Sequence, residues 1–129
     1  MERPVFKDRI VEKSVAKKQE AFRLASVSFA CASAKPEKKQ DIVFENIVEY
    51  LKQNPSARIR LDGYADKATG KERTNLMLSI RRTDSVRNIL IERYGIVPSR
   101  IEAQGIGSNA QPYEDNDLNR VVIVTALPE

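Results

Sequence analysis

An arginine stands where the helical pattern asks for a hydrophobic residue. Leu78, Arg82, Val86 and Leu90 recur at i+4, so Arg82 falls on the stripe that should face the core. A guanidinium in that position needs a partner or must snorkel to water. Helical side chains lean toward the helix N-terminus, which aims the Arg82 head group at the loop running back to Asp66. Two readings follow. In one, Asp66 and Arg82 form a structural salt bridge that closes a strand-helix junction. In the other they are a split receptor for a zwitterion: Asp66 takes an ammonium, Arg82 forks onto a carboxylate, and Asn75, earlier on the same helix, supplies amide hydrogen bonds. The readings differ in consequence. A charge held for a ligand makes Arg82→Met neutral or stabilising, whereas a buried bridge makes it destabilising.

Other chemistry is weaker. Asp62 and Asp66 share a strand face and could pair as catalytic carboxylates, but Asp62 reads better as a solvated acid on the exposed side of a strand end. Asp66 sits where strand gives way to loop, a usual place for ligand contacts. Gly105–Ala110, GIGSNA, matches the dinucleotide fingerprint by letter. The following QPYEDND cannot open an amphipathic helix, and the chain ends before a ribose-binding acid could follow. Arg58, Arg60, Arg81, Arg82, Arg87, Arg93 and Arg100 could meet phosphates, yet acids interleave with them and only 6% of residues are aromatic. With no histidine and one cysteine, Cys31, the monomer has no imidazole catalysis, no Cys/His zinc site and no internal disulfide. No metal, cofactor or catalytic step is expected.

These side chains must be carried by one domain, since 129 residues with 41% apolar content build a single modest core. The formal charge of +4 is mildly basic. No uncharged stretch exceeds Leu24–Ala34, too short for a membrane span, and MERPVFKDRI has no apolar core of a secretory signal. Taken literally that is a cytosolic chain, although a fragment of a longer exported protein looks the same. Residues 1–21 read as a charged linker or edge segment. Val27 and Phe29 alternate with serine as in a half-buried strand. A helix follows with Pro36 in its first turn, Phe44, Ile47, Val48 and Leu51 on its inner face, and Asn54-Pro55 as its stop. The alternation from Ala57 to Tyr64 predicts a second strand ending near Asp66. Thr69 and Glu72 form a capping-box pattern for a long helix that ends at Gly95. Arg100–Gln104 reads as a short strand, Gly105–Leu118 as a loop and Val121–Leu127 as an interior strand. The expectation is an α+β fold: a two-layer α/β sandwich of β-α-β-α-β-β order, with a mixed four-stranded sheet and both helices on one face.

The spaced motifs also resemble a known family. GYAD at 63–66, TG at 69–70, N-x-x-L-S-x-x-R at 75–82, V-x-x-x-L at 86–90, YGI at 94–96, SRIEAQGIGSNAQP at 99–112 and NRVV at 119–122 together resemble the OmpA-like peptidoglycan-binding domain. The resemblance covers roughly residues 24–127, within a domain of 22–129, and the GYADKATG run is similar to outer-membrane proteins of the Bacteroides type. It implies non-covalent binding of peptidoglycan through the diaminopimelate of the stem peptide, without catalysis. By the same resemblance Asp66 holds the ammonium, Arg82 the carboxylate, and Asn75 lines the pocket, with Tyr64, Ala65, Leu78 and Thr69 as candidate lining. It further implies a periplasmic domain of an outer-membrane-associated protein that tethers the envelope to the cell wall. The membrane is then reached only through parts outside this chain, and homo-oligomerisation of the parent protein stays open. Tyr64-Ala65 replace the usual His-Thr, Thr83 replaces an alanine, Ala30 and Ala32 replace acidic or amide residues, and the loop 112–119 is short and lacks an arginine. The alternative is the same fold used for protein-protein assembly, with Asp66 and Arg82 only a salt bridge.

Overall fold

Phe22–Ser28 forms strand β1, whose buried Val27 starts the core in the computed structural model, which describes residues 20–128. The expected charged segment 1–21 lies outside the described residues except for its last two. A tight 3-10 turn, Lys38–Gln40, then leads into helix α1, Asp41–Gln53. The helix thus begins after Pro36 rather than around it. The turn ahead of it is tied to the end of β1 by Ser28 N–H donating to Gln40 Oε1 at 3.0 Å. Phe44, Ile47, Val48 and Leu51 are buried on its inner face as their spacing requires. Asn54 ends it, its amide and backbone N–H both donating to the Tyr50 carbonyl.

Strand β2 is Ile59–Tyr64 and helix α2 is Glu72–Glu92. The Thr69–Glu72 capping box is not formed: Lys71 is the N-cap, in extended backbone, and makes no side-chain capping bond. Thr69 instead donates both its N–H and its hydroxyl to Asp66. The far end closes as expected, with Gly95 at φ +73° and Ile96 N–H returning to the Leu90 carbonyl. Strand β3 runs Ile101–Gly107, longer than the Arg100–Gln104 reading because Gly105–Gly107 continue the sheet instead of opening a loop. Strand β4 is Val121–Ala126.

The sheet order is β1-β4-β2-β3, mixed: β4 runs antiparallel to both β1 and β2, while β2 and β3 are parallel. Central β4 is the continuous apolar run, and both edges are the more exposed strands. Ile59, Leu61, Val122, Val124 and Val27 meet Phe44, Ile47, Leu51, Val86 and Leu90 in one core between sheet and helices. This is the expected α+β sandwich. A register shift between Gly63 and Tyr64 sets Tyr64 opposite Gly107, a bulge that turns the chain leaving β2 at the point where the candidate residues lie.

Candidate functional site

Asp66 lies just beyond β2 and is 3% exposed. Its Oδ1 accepts from Thr69 N–H at 3.0 Å and Thr69 Oγ1 at 2.7 Å; its Oδ2 accepts from Arg120 Nε at 2.8 Å. Burial pushes its carboxyl up, but hydrogen bonds from Arg120, Thr69 and Asn116 outweigh that and hold it down at about 2. Arg120 also reaches outward, with Nη2 3.2 Å from Asp117 Oδ1. Asn75, 4% exposed, donates to the carbonyls of Asp66 and Thr69 at 3.3 and 2.9 Å and so fixes the loop from β2 to α2.

Arg82 lies on the sheet-facing stripe of α2, as its spacing required, and is wholly buried. Its partner is not Asp66. Among the described residues the two form no ion pair, and the structural bridge of the assembly alternative is absent. Arg82 donates through Nε to Ser33 O at 2.8 Å, through Nη1 to Tyr64 O at 3.0 Å and through Nη2 to Ala30 O at 3.1 Å. Its guanidinium also lies over the Phe29 ring at 5.3 Å. Burial lowers its pKa to about 10, opposed by the nearby charge of Asp66, so it stays protonated at neutral pH. The loop that covers it is held to α2 by Ser85 Oγ donating to Ala34 O at 2.6 Å, and it contains Ala32 at φ +59°, in the left-handed region.

The end of β2 therefore gathers Asp66, Thr69, Asn75 and Arg82. Ala65 is buried there and contributes backbone, its carbonyl accepting from Gln111 Nε2 at 3.0 Å. Tyr64 contributes its carbonyl and not its ring. Strand alternation puts the ring on the face away from the helices, with Arg60 and Asp62, where burial and then the Asp62 charge raise its pKa. Leu78 is half-buried on α2 and makes no polar contact with the group. Asp62 is not a solvated acid: it is 6% exposed and accepts from Arg60 Nε at 3.0 Å and Gln104 Nε2 at 2.7 Å. Gly105–Gly107 lie in β3, and only a four-residue 3-10 turn, Asn116–Asn119, comes between it and β4, so no phosphate-binding α-helix terminus stands there. No cluster of metal-ligating side chains occurs among the described residues, and none of their helices is long and apolar enough to cross a membrane.

Arg120 is what sequence reasoning missed. It lies inside the NRVV motif, one residue past the loop read as lacking an arginine. The pairing of Gly63 with Val122 brings it beside the chain leaving β2, a placement that depends on β4 being the neighbour of β2. Beside the pair opens a cleft of about 340 Å³ lined by Lys67, Gln111, Tyr113, Asn116 and Asn119 among others. Its shape is set by amides: Asn119, 1% exposed, holds both the N–H and the carbonyl of Tyr113, and Gln111 Oε1 accepts from Lys67 N–H.

The OmpA family matches residues 28–122. Outer membrane protein 40 of Porphyromonas gingivalis is 43% identical over 100 residues, covering 78% of this chain and 26% of that protein. The peptidoglycan-binding protein ArfA of Mycobacterium tuberculosis is 34% identical over 88 residues, covering 64% of this chain and 26% of that protein. This chain thus spans about a quarter of the length of these curated relatives. Among solved structures, the peptidoglycan-associated lipoprotein from Burkholderia pseudomallei superposes with a TM-score of 0.72 at 23% identity, covering 79% of this chain and 89% of that one, a likeness of fold. By the extent of the family match and the order of its motifs, the chain belongs to the OmpA family.

Proposed function

We propose that this chain binds peptidoglycan non-covalently through the diaminopimelate of the stem peptide, without catalysis. It acts in the periplasm as part of a protein associated with the outer membrane. In this reading residues 22–129 are the binding domain and 1–21 a linker. The observation that carries it is the placement of one buried carboxylate and one buried guanidinium at a single strand end, the guanidinium bound to the carbonyl two residues before the carboxylate. The free end of diaminopimelate carries an ammonium and a carboxylate on one carbon. Asp66 accepts the first. Arg82 receives the second, since three of its five N–H groups are engaged by carbonyls and two remain. With Arg82 wholly buried, the Ala30–Ala34 loop must shift to admit the ligand. The name of the mycobacterial relative, a peptidoglycan-binding protein, supports the same reading.

The test is co-sedimentation with purified sacculi. Asp66→Ala and Arg82→Ala each remove a charge-assisted contact worth about 1.5–3 kcal/mol. A millimolar to micromolar ligand has only about 4–8 kcal/mol in all, so both variants are expected to stay in the supernatant. If both still pellet like the wild type, the site is elsewhere.

A further inference from the structure

Both oxygens of the Asp66 carboxylate are already engaged. Oδ1 is taken by the two Thr69 donors, and Oδ2 by Arg120. Three of its roughly four lone-pair positions are filled and the group is only 3% exposed, so an ammonium reaches it where a covering donor moves aside. The Thr69 bonds belong to the loop's own backbone turn, and Asn75 holds that loop from the other side. Arg120 differs on three counts. It comes from the residue just before β4, its side chain keeps 20% exposure, and its Nη2 already touches Asp117, whose side chain is 72% exposed.

We propose that Arg120 is a resident competitor for the ammonium-binding carboxylate. A ligand's primary ammonium then takes Asp66 by cation exchange, while Arg120 swings out and keeps its hold on Asp117. The proposal rests on the reading of Asp66 as the ammonium acceptor. Exchange replaces one cation by another on the same oxygen, so it supplies little net attraction by itself. Binding then draws its surplus from the second charge, where a carboxylate on Arg82 replaces or joins neutral carbonyl acceptors. An amine with no neighbouring carboxylate meets the same competitor without that return.

Competition at Asp66 acts on the ammonium alone, which gives it a signature. The apparent dissociation constant is the intrinsic one divided by the fraction of molecules whose Asp66 is free. If Arg120 occupies the carboxylate about nine-tenths of the time or more, removing it tightens every ammonium ligand about tenfold or more, by one common factor. A direct role of Arg120 in holding the ligand's carboxylate predicts the opposite sign, confined to ligands whose ammonium has a carboxylate on the same carbon.

The experiment is calorimetric titration of the wild type, Arg120→Gln, Arg120→Lys and Asp117→Asn with two synthetic tripeptides. One is L-Ala-γ-D-Glu-meso-diaminopimelate; the other has lysine in place of diaminopimelate. Thermal unfolding of each variant is recorded alongside. Arg120→Gln is expected to tighten both peptides by the same factor, or to make lysine-peptide binding measurable where the wild type shows none. Asp117→Asn removes the outer berth on the surface and is expected to weaken both peptides. Arg120→Lys keeps a cation and is expected to lie between wild type and Arg120→Gln; it and Asp117→Asn carry the test if Arg120→Gln does not fold. Weaker diaminopimelate binding in the folded Arg120 variants, or no change in any variant, overturns the competitor while leaving the site intact. A wild type and variants silent toward both peptides overturn the ammonium reading of Asp66 itself.

Discussion

Arg82 heads the fully buried side chains by volume, and every hydrogen-bond acceptor its charge meets is a backbone carbonyl. That decides a sign left open by the helical pattern. With Arg82 waiting beside a lone carboxylate, methionine at this position relieves a desolvated charge. With Ala30, Ser33 and Tyr64 as acceptors, methionine removes three bonds from a charged donor and leaves Ser33 O and Tyr64 O without it, while Ala30 O keeps Ser33 N–H at 3.1 Å. Each orphaned group costs about 1–3 kcal/mol, against several kcal/mol recovered from the charge. The balance falls toward loss because hydrogen bonds to a charged donor are the stronger kind, about 1.5–3 kcal/mol each. Arg82→Met is therefore expected to lower the melting temperature, and adding Asp66→Asn to leave that loss unrepaired, since the partner of Asp66 is Arg120. Thermal unfolding of the single and double variants without ligand checks this. A double variant restored to wild-type stability would show that the two residues act as a pair after all.

Element identity was readable in the sequence, and element ends were not. Periodicity depends on which face is buried, and the inner faces of α1 and β4 are the apolar positions that the spacing picks out. Ends depend on partners far away in sequence. Thr69 gave up its capping role because Asp66 was nearer use for its hydroxyl, and β3 extended through Gly105 because α2 lies against it too closely for a side chain. A Cβ on Gly105 would stand 2.8 Å from Ile80 N and 2.9 Å from Ile80 Cα, and one on Gly63 would overlap Thr83 Oγ1 and the Ser79 carbonyl. These neighbours are mostly backbone, so the helix itself must move. Gly63→Ala and Gly105→Ala are each expected to cost about 1–3 kcal/mol or more by overpacking. Gly95, at φ +73° with open space around it, is the control in which alanine costs about 1–2 kcal/mol through backbone strain alone. Urea unfolding orders the three, and a Gly105→Ala no less stable than Gly95→Ala would mean that α2 shifts freely on the sheet.

At the scale of the whole molecule, what the sequence withheld was which strands lie side by side. Asp66, Asn75 and Arg82 follow one another through a single strand-loop-helix unit, so their meeting could be argued from local geometry. Arg120 joins them only because β4 inserts between β1 and β2. The same long-range pairing decides what the basic composition means. Of the seven arginines that could meet phosphates, Arg82 and Arg100 spend their donors on carbonyls, Arg100 on Ala57, Leu51 and Asn54 at 2.8, 3.1 and 2.7 Å. Arg58, Arg60 and Arg93 pair with Glu102, Asp62 and Asp41 at 2.8, 3.0 and 3.2 Å. That leaves Arg81 and Arg87, both on α2, with no ion pair among the described residues. Two arginine contacts give a salt slope near −2 in log-log form, and lysines such as Lys67 and Lys71, also without an ion pair among the described residues, would have to supply the rest of the six to ten contacts of a specific site. The chain is accordingly expected to leave duplex DNA unshifted at about 150 mM salt and to retard it only weakly at about 50 mM. A complex that survives the higher salt would mean that these arginines and those lysines act together as one basic surface, and would reopen an acidic polymer other than the proposed cell wall as the partner.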